Sequence, residues 1–340
     1  MEVVDLFAGL GGFSAGALAA GATVVLGVDS DPVPLKLWGA NVPGGRASLA
    51  KLGPDGDAVE LPPPSASLHV HASTPCTDFS AARGSNVPAA DVDRGVQMLQ
   101  WALDLVLARG DASWSLENVS TPTTRATLDD YAARFPDKVA FASLDAAEFG
   151  SPQTRTRLIA GPPRLIKTLQ EMPSARRLSV RDAFSAHGLE LPAPAFKNQT
   201  RNRDGTPCRR TVEEQSFTVC ASHALTWTDR DGTTTRVMTA AESAALMGFP
   251  PSWRLPKGSR AGQKAVGNAM CVAMSKAIVV AATSIFTGRP VPLPDPPPAT
   301  EATTDPAPNT DSVLNARLST IESLVRQLQP SPLPPTVSAH

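Results

Sequence analysis

The chain has 340 residues, of which 42% are apolar and 19% charged, and its formal net charge is −1. This length allows one large and one small domain with buried cores, and the balanced charge excludes binding of nucleic acid by bulk charge alone. The four cysteines form no CxxC pair, so the sequence predicts neither a metal site nor a disulfide framework. It predicts a reduced, intracellular protein without a secretory signal.

The first 165 residues alternate short apolar runs with helical patterns, which is typical of a mostly parallel sheet flanked by helices. The first runs predict a strand at 2–6, a helix at 13–20 and a strand at 23–28. The sequence therefore predicts an α/β fold with a large Rossmann-like domain at 1–172. Later patterns predict strands at 68–72, 113–116, 139–144 and 157–160, and an amphipathic helix at 97–108.

The rest of the chain divides by composition. Residues 173–260 are irregular and rich in Arg, Thr and Pro, which predicts a second, small domain with loops that contact a ligand. An apolar stretch then predicts a helix that completes the large domain at 261–286. Because Asn268 and Lys276 interrupt this stretch, a buried helix is favoured over a membrane span.

The C-terminal region lacks the composition of a core. Residues 287–310 are rich in Pro, Thr and Asp and predict a linker, and residues 330–340 predict a disordered tail. Between them, 311–329 carries leucines and other apolar residues at 4-3-4-3 spacing, which favours a short coiled-coil helix. Self-association, binding of a partner protein and binding of this helix to its own domain remain alternatives.

A glycine-rich turn, DLFAGLGGFS at residues 5–14, follows the first predicted strand and allows a ligand to approach the backbone closely. The dinucleotide pattern GxGxxG fails at Ser14, so the glycines alone leave a tight turn and a cofactor loop as alternatives. Asp29 ends the next strand, where a carboxylate accepts hydrogen bonds from ribose hydroxyls. S-adenosylmethionine has a ribose but no phosphate, and it suits this turn better than a dinucleotide does.

Cys76 follows Pro75 in a polar loop after the strand predicted at 68–72. A lone cysteine is usually inert packing. However, catalytic residues of open α/β sheets gather at the carboxyl ends of the strands, which is where this cysteine is predicted to lie. Cys76 is therefore a candidate nucleophile.

Charged side chains also stand at two later strand ends. Glu117 follows the strand predicted at 113–116, where a solvated turn or a helix cap is the alternative interpretation. Gln153, Arg155 and Arg157 alternate on one side of the chain as it enters the last predicted strand, where an edge-strand charge pair is the alternative. None of these residues identifies a function by itself.

Taken in order, these segments resemble the cytosine-C5 DNA methyltransferase family. The resemblance covers residues 3 to about 280 and keeps the linear order of the family's motifs. The matching segments are DLFAGLGGFS (5–14), Pro75-Cys76, Glu117-Asn118-Val119, QTRTR (153–157), Arg181-Asp182-Ala183, Arg236 to Pro250, and Val266-Gly267-Asn268-Ala269. The resemblance implies an S-adenosylmethionine-dependent enzyme that methylates carbon 5 of cytosine in double-stranded DNA.

The resemblance also implies roles for individual residues. Cys76 would bond to cytosine C6, Glu117 would hydrogen-bond and protonate N3, and Arg157 with Arg155 would stabilise O2. The base would be flipped out of the duplex to reach them. The methyl donor would be held by Phe7, Gly9, Leu10, Gly11, Gly12, Asp29, Pro75 and Asn268. DNA would be held by Arg83, Gln153, Arg201, Arg203, Arg209 and Arg210, most of which form a local basic cluster.

The sequence departs from the family's pattern near the nucleophile and in the small domain. Thr77 replaces a glutamine, and Ser73 and Thr74 replace glycines. No acidic residue stands near 45–50, where the family contacts the adenine of the cofactor. About fifty residues between Ala186 and Arg236 are left to read a DNA sequence.

Two other functions remain as alternatives. One branch of the family methylates tRNA with the same residues, although no extra RNA-binding module is recognisable in this chain. The altered residues around Cys76 also allow a catalytically silent protein that binds DNA or an active partner.

Overall fold

The structure is a computed structural model that describes residues 1–75, 89–110, 113–202 and 204–288, within one compact unit, Met1–Ala299. Its main element is a seven-stranded sheet with the order β3-β2-β1-β4-β5-β7-β6. Strands β1 to β5 pair in parallel, whereas β7 runs antiparallel to both β5 and β6. The strands are β1 (Glu2–Leu6), β2 (Thr23–Asp29), β3 (Arg46–Leu49), β4 (Leu68–Ser73), β5 (Ser113–Asn118), β6 (Ala140–Asp145) and β7 (Thr156–Gly161).

Helices cover both faces of this sheet, and each face has its own apolar core. Because side chains alternate along a strand, Val3 belongs to one core and Val4 to the other. The helices are α1 (Gly12–Ala19), α2 (Pro32–Asn41), α3 (Ala89–Arg109), α4 (Pro122–Arg134), α5 (Pro163–Glu171), α6 (Val180–Ala186), α7 (Ala240–Met247), α8 (Ser259–Asn268) and α9 (Val272–Thr287), with a 3₁₀ helix at Ala146–Phe149. This architecture confirms the predicted α/β class with a mostly parallel sheet.

The last helix returns to pack against the first. An ideal Cβ at Gly16 of α1 would lie 2.3 Å from Cβ of Ser275 in α9, so only glycine allows the two backbones to come this close. Residues 259–287 are long and apolar enough to span a membrane by composition, but 67% of their most apolar window is buried inside the protein. This burial agrees with the predicted core helix.

A second, antiparallel sheet lies within the segment predicted as the small domain. Its strands are β8 (Ala195–Arg201), β9 (Pro207–Thr211), β10 (Thr226–Thr228) and β11 (Thr234–Val237), in the order β11-β10-β8-β9. Trp227 is fully buried and meets the rings of Phe184 and Phe196 edge-on, at centroid distances of 5.5 and 6.0 Å. The short sheet is therefore anchored by an aromatic cluster.

Candidate active site

The turn after β1 is shaped by residues with positive φ. Phe7 has a φ of 60°, Gly9 of 51° and Gly11 of 88°. A Cβ at Gly11 would lie 2.8 Å from the Trp38 ring, so both the backbone angle and the space require glycine here. The N-terminus of α1 therefore opens at the carboxyl end of β1, where it offers backbone N–H groups to a ligand.

Asp29, at the end of β2, is joined to this turn. The backbone N–H of Gly9 donates to Oδ2 of Asp29 at 2.7 Å, and the N–H of Asp31 donates to Oδ1 at 2.8 Å. Burial raises the pKa of Asp29, while these two hydrogen bonds oppose the rise. The carboxylate is thus fixed in orientation beside the glycine turn.

Asp5, near the carboxyl end of β1, is fully buried below the turn. Its Oδ2 accepts hydrogen bonds from the N–H and the hydroxyl of Ser14, at 3.2 and 2.5 Å, and Trp38 Nε1 donates to the same hydroxyl at 2.8 Å. Burial raises the pKa of Asp5 from 3.8 to about 7, against the effect of the Ser14 hydrogen bonds. The apolar run at the start of the chain predicted only a buried strand here and no role for the Asp5 carboxyl.

These groups surround a cavity of about 470 Å³ at the carboxyl edge of the sheet. Seven of the eight residues predicted to hold the methyl donor line it: Phe7, Gly9, Leu10, Gly12, Asp29, Pro75 and Asn268. Gly11 is not among the lining residues and instead packs against Trp38. Glu117, Arg155 and Ser73 also line the cavity, so the structure brings together side chains from β4, β5 and the segment before β7.

Glu117 and Arg157 form an ion pair at this edge. Nε of Arg157 lies 2.8 Å from Oε1 of Glu117, and the two side chains are only 13% and 10% exposed, respectively. They belong to the adjacent strands β7 and β5. An arginine this close restricts the rotation of the carboxylate and holds it at the cavity edge.

Arg155 has a different environment from Arg157. It is 4% exposed, and its guanidinium donates to the backbone carbonyls of Val219, Gly267 and Ala269 at 2.9, 3.2 and 3.1 Å. Arg155 therefore joins the cavity wall to the small-domain segment and to the turn between α8 and α9, a role that the sequence did not suggest.

Gln153 is fully buried, which does not agree with the predicted contact with DNA. Its amide nitrogen donates to the carbonyl of Leu246 at 2.9 Å, and its amide oxygen accepts from the N–H of Val219 at 3.0 Å. The expected alternation fails because Gln153 and Arg155 precede β7, which begins only at Thr156. In this structure Gln153 links two segments of the protein and offers no surface to a duplex.

The predicted basic cluster lies on the small sheet. Arg201 and Arg209 are exposed, and Arg209 donates to the Thr228 hydroxyl and to the carbonyl of Asp229. Arg210 is half-buried, lies over the Phe217 ring at 4.2 Å and donates to the carbonyl of Ser216 at 2.9 Å. Arg201 and Arg209 are thus more accessible than Arg210.

Three residues predicted for the site, Cys76, Arg83 and Arg203, lie outside the described residues, and so does the predicted helix at 311–329. Pro75 is the last described residue before Cys76, and it lines the cavity.

A sequence profile described as C-5 cytosine-specific DNA methylase matches residues 1–162 and 165–283. Three solved structures resemble the chain: an E. coli prophage protein assigned as a DNA modification methyltransferase (16% identity, TM-score 0.58), Schizosaccharomyces pombe Dnmt2 methyltransferase (15%, 0.54) and Entamoeba histolytica methyltransferase EhMeth (12%, 0.55). The alignments cover 85%, 84% and 84% of this chain and 100%, 99% and 98% of the others. At these identities the structures show a shared fold alone. Curated proteins give no sequence match.

Proposed function

The chain belongs to the C-5 cytosine-specific DNA methylase family, and from this membership we propose that it methylates carbon 5 of cytosine in double-stranded DNA. The observation that carries the proposal is the cavity that joins the glycine turn and Asp29 to Glu117. A cofactor site and a base site must share one cavity if a methyl group is to pass between them. Glu117 and Arg157, which form an ion pair, supply the polar groups that would bind N3 and O2 of the base.

The family uses S-adenosylmethionine, and the residues around the glycine turn fit that molecule. Asp29 has a fixed, partly buried carboxylate that is suited to ribose hydroxyls, and Gly9 in the turn leaves room for close approach of a ligand. No phosphate requires neutralisation, which agrees with the acidic side chains at this edge. When bound, the cofactor supplies an electrophilic methyl group on a sulfonium.

The chemistry of the proposed reaction follows from the base. Carbon 5 of cytosine is a weak nucleophile, and addition of the Cys76 thiolate to C6 moves electron density to C5. Glu117 protonates N3 as negative charge develops on the ring, and Arg157 stabilises O2. After C5 takes the methyl group, the C5 proton passes to a water molecule and N3 returns its proton to Glu117. The C5–C6 double bond then re-forms and the sulfur departs from C6 as thiolate.

The substrate is proposed to be a duplex held by the small sheet. Arg201 and Arg209 are exposed there, where guanidinium groups can contact phosphates, and the target base would leave the stack to enter the cavity. Net charge close to zero means that these local arginines carry the electrostatic attraction.

Transfer of a tritiated methyl group to duplex DNA and to tRNA tests the substrate. We expect incorporation into DNA and none into tRNA; methylation of tRNA with none of DNA would replace the proposal by the RNA alternative.

Covalent trapping tests the chemistry. A duplex with 5-fluorocytosine at the target position should form a denaturation-resistant adduct, because fluorine at C5 cannot leave as a proton does. Cys76→Ser should abolish the adduct, whereas Cys220→Ser, which changes a half-buried cysteine elsewhere, should retain it. Absence of the adduct in a chain that binds DNA and methyl donor would instead support the silent alternative.

A further inference from the structure

Five polar side chains form a hydrogen-bonded chain that runs along one face of β4 and β5. His69 Nδ1 lies 2.8 Å from Ser113 Oγ, and His69 Nε2 lies 2.8 Å from Ser115 Oγ. His71 Nδ1 lies 2.7 Å from the same Ser115 oxygen, and His71 Nε2 lies 2.8 Å from Ser73 Oγ. We name these residues (Ser113, His69, Ser115, His71 and Ser73) the His–Ser chain. Its Ser73 end lines the active-site cavity.

Packing alone does not explain the His–Ser chain. His69, His71 and Ser115 are fully buried, and Phe13 stacks on His71 with ring centroids 3.6 Å apart and nearly parallel planes. Apolar side chains could fill this space without any need for partners, whereas a buried ring nitrogen that loses its partner destabilises the fold. A complete polar chain at such a place therefore points to a function at the end that meets the cavity.

The His–Ser chain has a direction. Burial lowers the pKa of His69 to about 3 and that of His71 well below 6.5, so each ring is neutral, with one N–H donor and one acceptor nitrogen. The Ser115 hydroxyl has one proton, which it can give to one ring while its oxygen accepts from the other. When it does so, all the hydrogen bonds point either toward Ser73 or away from it, and the two arrangements differ in what Ser73 offers to the cavity.

The position of Ser73 in the sheet matches one atom of the target base. Ser73 is the register partner of Glu117 on the neighbouring strand, and Arg157 lies beyond Glu117 on the next strand. Parallel neighbours in register point to the same face of a sheet. The order Ser73, Glu117, Arg157 is the order of the 4-amino group, N3 and O2 along the hydrogen-bonding edge of cytosine.

We propose that Ser73 accepts a hydrogen bond from the 4-amino group of the target cytosine and that His71 positions Ser73 for this contact. The inference rests on the proposed function, because it assumes that Glu117 meets N3 and Arg157 meets O2. An amine donates, so the Ser73 hydroxyl gives its own proton to Nε2 of His71. His71 then donates to Ser115, Ser115 to His69 and His69 to Ser113. In this direction, the carbonyl at position 4 of uracil or thymine would meet a second acceptor and be rejected.

Ser73→Ala tests the contact when it is measured on two bases. The target duplex carries either cytosine or 2-pyrimidinone, which lacks the 4-amino group, and covalent adduct formation and kcat for methyl transfer are measured for both. The variant should react about tenfold more slowly with cytosine, as expected for loss of one hydrogen bond, and at the wild-type rate with 2-pyrimidinone. Ser67→Ala, which lies just before the first residue of the same strand, is the matched control and should change neither rate.

A purely structural role of Ser73 would slow the reaction with both bases equally, and that result would overturn the inference. The affinity for S-adenosylmethionine, measured by calorimetry, should stay within about twofold of wild type, and a larger loss would also count against it. Failure of wild type to methylate cytosine in any nucleic acid would overturn the proposed function itself. The two failures are therefore distinguishable.

Two variants of His71 test the positioning step. The amide of Asn can replace Nδ1 and keep the bond to Ser115, whereas the longer Gln can replace Nε2 and keep the bond to Ser73. His71→Gln should therefore retain more of the preference for cytosine over 2-pyrimidinone than His71→Asn does. Equal preference in the two folded variants would show that His71 does not act through Ser73.

Discussion

Nε of Arg157 lies 2.8 Å from Oε1 of Glu117, across the boundary between the parallel part of the sheet and its antiparallel edge. The pair joins two motifs separated by about forty residues in the sequence. Because β7 runs antiparallel to β5, its first residues meet the last residues of β5 at the edge where the cavity opens. The reversed strand is therefore what gives Glu117 a guanidinium partner.

Glu117→Gln should slow methylation by a factor of about 10² to 10⁴ and leave DNA affinity nearly unchanged. The amide has the same shape, but it cannot supply a proton to N3 in the way a carboxylic acid can. Single-turnover methyl transfer and a binding titration with the same duplex measure the two effects. Glu213→Gln is the control, since Glu213 is also paired with an arginine, at 2.7 Å, but is exposed. A near wild-type rate in Glu117→Gln would refute the assigned role.

Arg157→Gln should lower the free energy of unfolding by about 1–3 kcal/mol, since it leaves a largely buried carboxylate without its charged partner. In the double variant with Glu117→Gln, part of this loss should be recovered, because no buried charge remains. Urea unfolding of the two single variants and the double variant measures the coupling. Strictly additive losses would show that the pair does not stabilise the fold.

Asp29→Ala should weaken S-adenosylmethionine binding about 10- to 100-fold, the range expected for lost hydrogen bonds to a charged group. The carboxylate also holds the N–H of Gly9, so the glycine turn loses its link to β2. Calorimetry with the wild type, Asp29→Ala and the control Asp55→Ala, which changes an exposed carboxylate, gives the affinities. Unchanged affinity in Asp29→Ala would place the cofactor elsewhere.

Arg209→Gln should reduce the salt dependence of DNA binding, with the slope of log K against log salt falling by about 1 for a lost phosphate contact. The guanidinium of Arg209 is exposed on the small sheet, although it also bonds Thr228. Arg125→Gln, on α4, is the control and should leave the slope unchanged. An unchanged slope in Arg209→Gln would remove this residue from the DNA surface.

The strands of the large sheet could be predicted because their sequences are short apolar runs between turn signals, as in β1 and β2. The polar alternation of β4, LHVHAS, and of β5, SWSLEN, is equally visible in the sequence. Whether these polar residues hydrogen-bond to one another depends on the register that pairs His71 with Ser115. That register is a tertiary property. Strand β3 was missed because its four residues are mostly exposed and carry no apolar alternation.

The site was predicted best where a residue's position follows from the end of a strand, as for Asp29 and Glu117. It was predicted least well before β7, where a two-residue period was assumed outside a strand. Gln153 and Arg155 lie in that segment and point into the protein, where they bond backbone carbonyls of distant segments. These hydrogen bonds depend on which later segments of the chain fold against residues 153–155. The local sequence pattern does not contain that information.

Asp5→Asn should change the pH dependence of stability in a defined direction. In the folded protein burial raises the pKa of Asp5 from 3.8 to about 7, so between these values the folded state binds a proton that the unfolded state does not. The resulting stabilisation is fully present below about pH 4 and is lost as the pH rises to about 7. His69 and His71, with lowered pKa values, contribute the opposite slope.

The quantity to measure is therefore the difference in free energy of unfolding between wild type and Asp5→Asn, by urea titration from pH 4 to 9. The asparagine keeps an acceptor for Ser14 but has no proton to lose. Wild type should lose stability relative to the variant up to about pH 7 and run parallel to it above pH 8. A difference that stays constant across this range would show that Asp5 is ionised in the folded protein throughout.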